Sequence, residues 1–328
     1  MWRMWPGSPQ LEYEVAGCFL GGFVTDASGK PLFMLLSPAA PGSDAPAMVV
    51  VAPSATGEWH TVARLEDARD YHRSADGDAL VGVEGTEFCG PAPSGVKTTL
   101  YKGDGLFGAD LLPAGRGALL LERGAGGDTL SLVLANAGSA AVLVEDIADI
   151  PPEPELGGRP LAPCRVSPDG SKAAICGTRG GAPAVFVVDL ASRHVTALSL
   201  DAGGTPGPAG VSGVATWAPA GDYLAVPGYG VFSIPAGERV VALGGGDTSP
   251  CWAGDGRHLL TGDAIITIPD GTRFPIVGLG RDLHLRPSAQ VRPLGWAPAG
   301  APGASGAPGA PAGDGPAAYV VVTWPGAG

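Results

Sequence analysis

The chain has 328 residues with 20 Lys and Arg against 32 Asp and Glu, a net charge of -12, and is 45% hydrophobic but only 16% charged. That balance excludes a disordered chain, which is charge-rich and poor in apolar side chains, and a nucleic-acid binder, which needs a cationic footprint. No stretch approaches the ~20 apolar residues of a membrane-spanning helix, so no membrane insertion is expected, while 54 Gly and 33 Pro can punctuate many short strands.

In chain order, Met1 to Gly7 lacks the apolar core of a secretory signal before Pro6, so a cytoplasmic protein is expected. Leu11-Glu12-Tyr13-Glu14-Val15 alternates apolar and acidic side chains, as an edge strand with one buried face does. Residues 1–16 are therefore expected to supply a closing strand. Residues 11–15 would pair with the sheet holding Tyr319–Thr323 and cover an edge that would otherwise invite aggregation. Asp26-Ala27-Ser28-Gly29 then opens a series of tight turns, each followed by a short apolar run. The turns close on Gly29, Gly77, Gly115, Gly170, Gly221, Gly256 and Gly300. The intervals of roughly 35–55 residues scatter about the ~40–45 of a four-stranded propeller blade. In most repeats a second hairpin follows, for example Val185–Leu190 into Val195–Leu198 and Val231–Ile234 into Val240–Leu243. One strand before the marker glycine, one after it and this hairpin make four strands per repeat.

The clearest phrases are Val166-Ser167-Pro168-Asp169-Gly170 and Trp217-Ala218-Pro219-Ala220-Gly221. With their hairpins they resemble the repeat of TolB-type, WD-like β-propellers, clearly over residues 160–300 and loosely over 17–150. The resemblance implies an all-β fold: a single propeller over residues 1–328, of four-stranded antiparallel blades, seven in number with six as the alternative. It implies fold and not activity, because a propeller hosts many functions. Trp217, Trp252 and Trp296 occupy one position in three successive repeats and are expected to wedge between blades. Residues 145–160 read as an acidic, Pro-rich inter-blade loop, and residues 301–313 as a Gly/Ala/Pro-rich flexible loop.

Candidate chemistry is sparse. Gly103-Asp104-Gly105-Leu106-Phe107-Gly108 matches a dinucleotide fingerprint, but a strand-like run follows where the phosphate-binding helix is required. His60, His72, His194, His258 and His284 are scattered. Cys18, Cys89, Cys164, Cys176 and Cys251 include no C-x-x-C pair. Cys164 and Cys176 could face each other across a hairpin, although buried free thiols are the expected state. No G-x-S-x-G elbow is present. No catalytic, cofactor or metal residue is assigned and no cofactor is expected. The reading is a non-catalytic, monomeric platform for a protein or peptide partner, bound at the rims or central channel. The alternative is a small-molecule enzyme of lyase or lactonase type working from that channel.

Overall fold

A computed structural model describes residues 2–4, 10–11, 18–25, 31–38, 48–53, 59–65, 68–73, 80–84, 87–91, 97–103, 105–136, 139–150, 164–198, 200, 215–244, 250–261, 264–275, 290–296 and 318–323. Among them the chain is all-β, with one short 3-10 turn at Pro113–Gly115. Two strands come first, β1 (Trp2–Met4) and β2 (Gln10–Leu11). Repeat 1 holds β3 (Cys18–Thr25), β4 (Pro31–Pro38), β5 (Met48–Pro53) and β6 (Trp59–Leu65). Repeat 2 holds β7 (Ala68–Arg73), β8 (Leu80–Glu84), β9 (Glu87–Pro91) and β10 (Lys97–Lys102). Repeat 3 holds β11 (Leu106–Leu111), β12 (Ala118–Arg123), β13 (Thr129–Asn136) and β14 (Ser139–Asp149). Repeat 4 holds β15 (Cys164–Val166), β16 (Lys172–Arg179), β17 (Ala182–Asp189) and β18 (Val195–Leu198). Repeat 5 holds β19 (Thr216–Trp217), β20 (Tyr223–Val226), β21 (Gly230–Ser233) and β22 (Arg239–Ala242). Repeat 6 holds β23 (Cys251–Trp252), β24 (His258–Leu260), β25 (Ala264–Thr267) and β26 (Arg273–Pro275). The last strands are β27 (Gln290–Trp296) and β28 (Ala318–Thr323).

Each repeat is an antiparallel four-stranded sheet, and repeats 3 and 4 are fused into one eight-stranded sheet by the single pairing of Asp149 with Thr178. The last sheet runs in the order β2-β1-β28-β27, so it draws on both ends of the chain. The chain divides into two compact units, one of residues 1–66 with 249–328 and one of residues 67–248. Within the second unit, β11 lies against β8 and β15, and β15 against β19. Within the first, β27 lies against β23 and β3.

The core of the second unit is a series of slabs between successive sheets. Alternation along a strand sends neighbouring side chains to opposite faces. Leu119 and Leu121 therefore join Leu130, Leu132, Val166, Ile175 and Phe186 between repeats 3 and 4, while Leu120 joins Phe88, Leu106 and Val133 between repeats 2 and 3. A third slab sets Cys176, Val185 and Val187 against Trp217, Leu224 and Phe232, between repeats 4 and 5. Strands covered on both faces read as unbroken apolar runs. Each large side chain fully buried there contributes about 1.5–3 kcal/mol.

Two expectations and one alternative reading meet a different structure. The strand beside β28 is Trp2–Met4, paired as Trp2↔Val320 and Arg3↔Tyr319; of the stretch 11–15 only Leu11 is placed, opposite Trp2 in β2, and residues 12–15 lie outside the described residues. The joining sequence carries the turn-forming pair Pro6-Gly7. Trp2-Arg3-Met4 has the same one-sided alternation as the stretch read first. Second, residues 145–149 continue β14 rather than opening a loop. The Arg179 guanidinium donates to the Asp146 and Ile147 carbonyls at 2.8 and 2.9 Å, and Asp149 pairs with Thr178. Those bonds hold the segment in the strand through a bulge at Asp146, whose φ is +52, despite its acidity. Residues 151–160 and 301–313 lie outside the described residues. Third, Cys164 opposes Ile175 in the ladder and not Cys176. The two thiols, outside any disulfide, are buried on opposite faces of the sheet, in different slabs.

The phrase Ser167-Pro168-Asp169-Gly170 folds on its own side chains. Ser167 Oγ donates to Asp169 Oδ1 at 2.6 Å and accepts from Lys172 N at 2.9 Å. Ser171 donates through N and Oγ to the two carboxylate oxygens at 3.0 and 2.7 Å. Partial burial raises the Asp169 pKa, but the bonds from Ser167 and Ser171 and the charge of Lys172 outweigh it, and the pKa falls from 3.8 to about 2. A folded pKa below the unfolded one gives stability that is present above the unfolded value and lost as pH falls through the folded one. Asp169→Asn should therefore cost about 1 kcal/mol at neutral pH, the shift being discounted for solvent screening. The difference should vanish toward pH 2. Unfolding titrations from pH 7 to 2 check this: parallel curves for parent and variant would show that the carboxylate does not hold the turn.

Candidate functional site

All seven marker glycines fall in sequence between the first and second strand of a sheet. Where the turn is described, one backbone pattern recurs. Ser167 N donates to Lys172 O, Ala218 N to Tyr223 O and Ala253 N to His258 O, at 2.9, 2.9 and 2.8 Å. Gly170 N, Gly221 N and Gly256 N return to the carbonyls of Ser167, Ala218 and Ala253 at 2.8, 2.8 and 3.0 Å. These three glycines have φ of +68, +71 and +66. In repeat 3 the outer bond recurs from Leu112 N to Gly117 O at 2.9 Å, but the left-handed residues are Ala114 and Gly117, flanking Gly115. Gly29, Gly77 and Gly300 lie outside the described residues.

In repeats 3, 4 and 5 these turns adjoin one another along a rim. Arg116, from the turn of repeat 3, donates through Nη2 to Asp169 O at 3.2 Å and Gly170 O at 3.5 Å. A Cβ on Gly170 would meet Arg116 Nη2 at 2.1 Å and Pro113 Cδ at 2.7 Å, whereas one on Gly221 meets nothing nearer than 3.9 Å. Gly221→Ala should cost about 1–2 kcal/mol, the left-handed penalty alone. Gly170→Ala should cost about 1–3 kcal/mol more through overpacking. Urea unfolding of both variants measures the difference; equal costs would mean that the two turns are not in contact.

Beneath the rim the first strands are clipped together. Asp110 on β11 is 1% exposed, and its carboxylate accepts from Val166 N on β15 at 2.9 Å. Trp217 on β19 is 9% exposed and donates through Nε1 to Arg165 O on β15 at 2.9 Å. Trp252 on β23 is half-buried. Trp296 ends β27, its backbone opposite Ala318.

Next to the rim, between the hairpins of repeats 4 and 5, lies an open hollow of about 290 Å³. Val187, Leu198, Ile234 and Pro235 supply its apolar surface, with Lys172, Asp189, Ser192, His194 and Thr196 as polar neighbours. Asp189 Oδ1 accepts from Ser192 N and Oγ, both at 2.8 Å, and these bonds hold its pKa below the ordinary carboxylate value. The carboxylate thus stays charged and fixed, while His194 is exposed. Such a surface can receive an apolar side chain and hydrogen-bond the backbone that carries it.

The other candidates disperse. Gly103 to Gly108 joins β10 to β11 and leads into strand, not helix. His60 and His72 lie on β6 and β7, and His258 on β24 pairs through Nδ1 with Asp255 Oδ2 at 2.6 Å; His284 lies outside the described residues. Among the described residues no three His, Cys, Asp or Glu side chains gather as a metal site, and no helix is long and apolar enough to cross a membrane. The hollow was not anticipated from sequence. Its residues come from three strands and two turns of two repeats, and only the period-2 positions Val187, Asp189 and Thr196, Leu198 hinted at a shared face.

No protein-family model matches the sequence, and no curated protein matches it either. Among solved structures the chain is similar to TolB from Acinetobacter baumannii, at 17% identity over 74% of this chain and 61% of that one, with a TM-score of 0.49. It is similar to a nidogen/laminin complex at 10% identity, over 72% and 84% of the two chains, TM-score 0.47. It is similar to oligogalacturonate lyase from Vibrio parahaemolyticus at 12% identity, over 79% and 78%, TM-score 0.51. The chain thus spans about 61% of the length of the Acinetobacter TolB. The likeness to the lyase structure is one of fold alone, and this chain's own sheets are antiparallel and four-stranded.

Proposed function

We propose that residues 1–328 form one seven-bladed β-propeller, closed by β1 and β2, that serves as a monomeric, non-catalytic cytoplasmic platform for a protein or peptide partner. Seven four-stranded repeats, the last completed from the other end of the chain, support the blade count. The net charge of -12 supports a partner other than nucleic acid. In this reading the marker glycines are blade turns and Trp217, Trp252 and Trp296 are inter-blade aromatics. The observation that carries the functional reading is the hollow between repeats 4 and 5. It offers an apolar surface to a side chain and a fixed carboxylate, a hydroxyl and an imidazole to a backbone.

Selection of a random heptapeptide phage library on the immobilised protein tests it. Enriched peptides should share one apolar anchor and bind the Thr196→Arg variant, whose long side chain fills the hollow, about tenfold more weakly. No enrichment, or equal binding to parent and variant, would defeat the reading.

A further inference from the structure

The fourth strand of repeat 3 differs from the other fourth strands. β14 has 11 residues, against four in β18 and β22 and three in β26. Its first six, Ser139-Ala140-Ala141-Val142-Leu143-Val144, carry no charge. By contrast, β10 carries Lys97 and Lys102, β22 carries Arg239 and β26 carries Arg273. Edge strands are ordinarily protected by shortness or by a charge, because a bare edge is a template for another strand. Here the strand is long, and its charges, Glu145, Asp146 and Asp149, come only after the first six residues. Ser139 to Val142 are exposed, Val142 at 49%. One edge of this stretch is satisfied by β13, with Ala140 opposite Ala135, Ala141 opposite Leu134 and Val142 opposite Val133. On the other edge, among the described residues, the ladder partner of β14 is Thr178, at the far end. Among the described residues the stretch 139–145 is thus an open edge of seven residues, and exposed Glu145 and Asp146 stand at its end, where the Asp146 carboxylate accepts from Thr129 Oγ1 and its carbonyl from Arg179.

We propose that this edge accepts an extended segment of a protein partner by antiparallel strand addition, the segment carrying basic residues at its N-terminal end. Backbone groups supply the affinity in such additions and alternate side chains the selectivity. Antiparallel pairing brings the N-terminus of the segment to Glu145 and Asp146, which selects Lys or Arg there. A second copy of this chain is disfavoured as occupant, because two surfaces from chains of net charge -12 repel. This site is separate from the hollow, and the inference goes beyond the function proposed above.

The test is fluorescence anisotropy with a labelled peptide of sequence Lys-Arg-Val-Thr-Val-Thr-Val, its acid-headed counterpart Glu-Glu-Val-Thr-Val-Thr-Val, and the full chain. The basic peptide should bind saturably, about tenfold more weakly to Val142→Lys, and the acidic one should bind about tenfold more weakly to the parent. Thr196→Arg should bind the basic peptide as the parent does. Val142 is exposed, so an unchanged melting temperature serves as the folding control. The proposal is overturned by the absence of saturable binding, by equal binding to Val142→Lys, or by loss of binding in Thr196→Arg alone. Sedimentation showing a dimer of the parent that Val142→Lys dissociates would also overturn it, since the occupant would then be a second copy.

Discussion

Trp217→Ala should lower the stability of the protein by about 3–5 kcal/mol, the usual cost of truncating a large buried aromatic. Two losses add. The indole is 9% exposed and packs with Leu224, Val226 and Phe232 against Ala174, Cys176 and Val185 of the preceding repeat, so truncation opens a cavity between two sheets. Its Nε1 also donates to Arg165 O at 2.9 Å, and truncation removes that bond, at about 0.5–1.5 kcal/mol. Trp217→Phe separates the two, keeping most of the bulk and removing the bond. Trp252→Ala should cost less, because that side chain is half-buried. Urea unfolding is the measurement, with a lower midpoint at unchanged slope as the signature of lost stability. A midpoint for Trp217→Ala equal to the parent's would remove the wedge role and leave the indole free for a ligand.

The repeat was legible because its signal is local. A glycine that can take positive φ, followed by an apolar run and then a hairpin, marks a turn and three strands without long-range information. The pairs Val185–Leu190 with Val195–Leu198 and Val231–Ile234 with Val240–Leu243 correspond to β17 with β18 and β21 with β22. What depends on distant partners was not legible. Residues 145–149 look like a solvated acidic linker until the Arg179 guanidinium is seen on their carbonyls. Trp2–Met4 is too short to read as a strand without β28 beside it. A one-residue offset in register sends Cys164 and Cys176 to opposite faces, and spacing alone does not set register. The hollow is the extreme case. Its lining lies on β16, β17, β18, the turn between β17 and β18 and the turn after β21, and only packing brings these side chains to one place.

Deletion of residues 1–11 tests the central claim, that the repeats form one propeller closed by its own ends. The deletion removes β1 and β2, half of the four-stranded sheet that contains β27 and β28. It bares the edge of Ala318–Thr323, where Tyr319-Val320-Val321-Val322 is rich in strand-forming side chains and uncharged. An edge of that composition pairs readily with other chains. The truncated protein should lose solubility, or melt ~10 °C or more below the full chain, as expected when several kcal/mol of sheet pairing and packing are removed. Adding a synthetic peptide of residues 1–11 should restore part of the loss by binding the vacated edge. A truncated chain that stays soluble and melts with the parent would contradict the account, because the first and last strands would then contribute nothing to holding the repeats together.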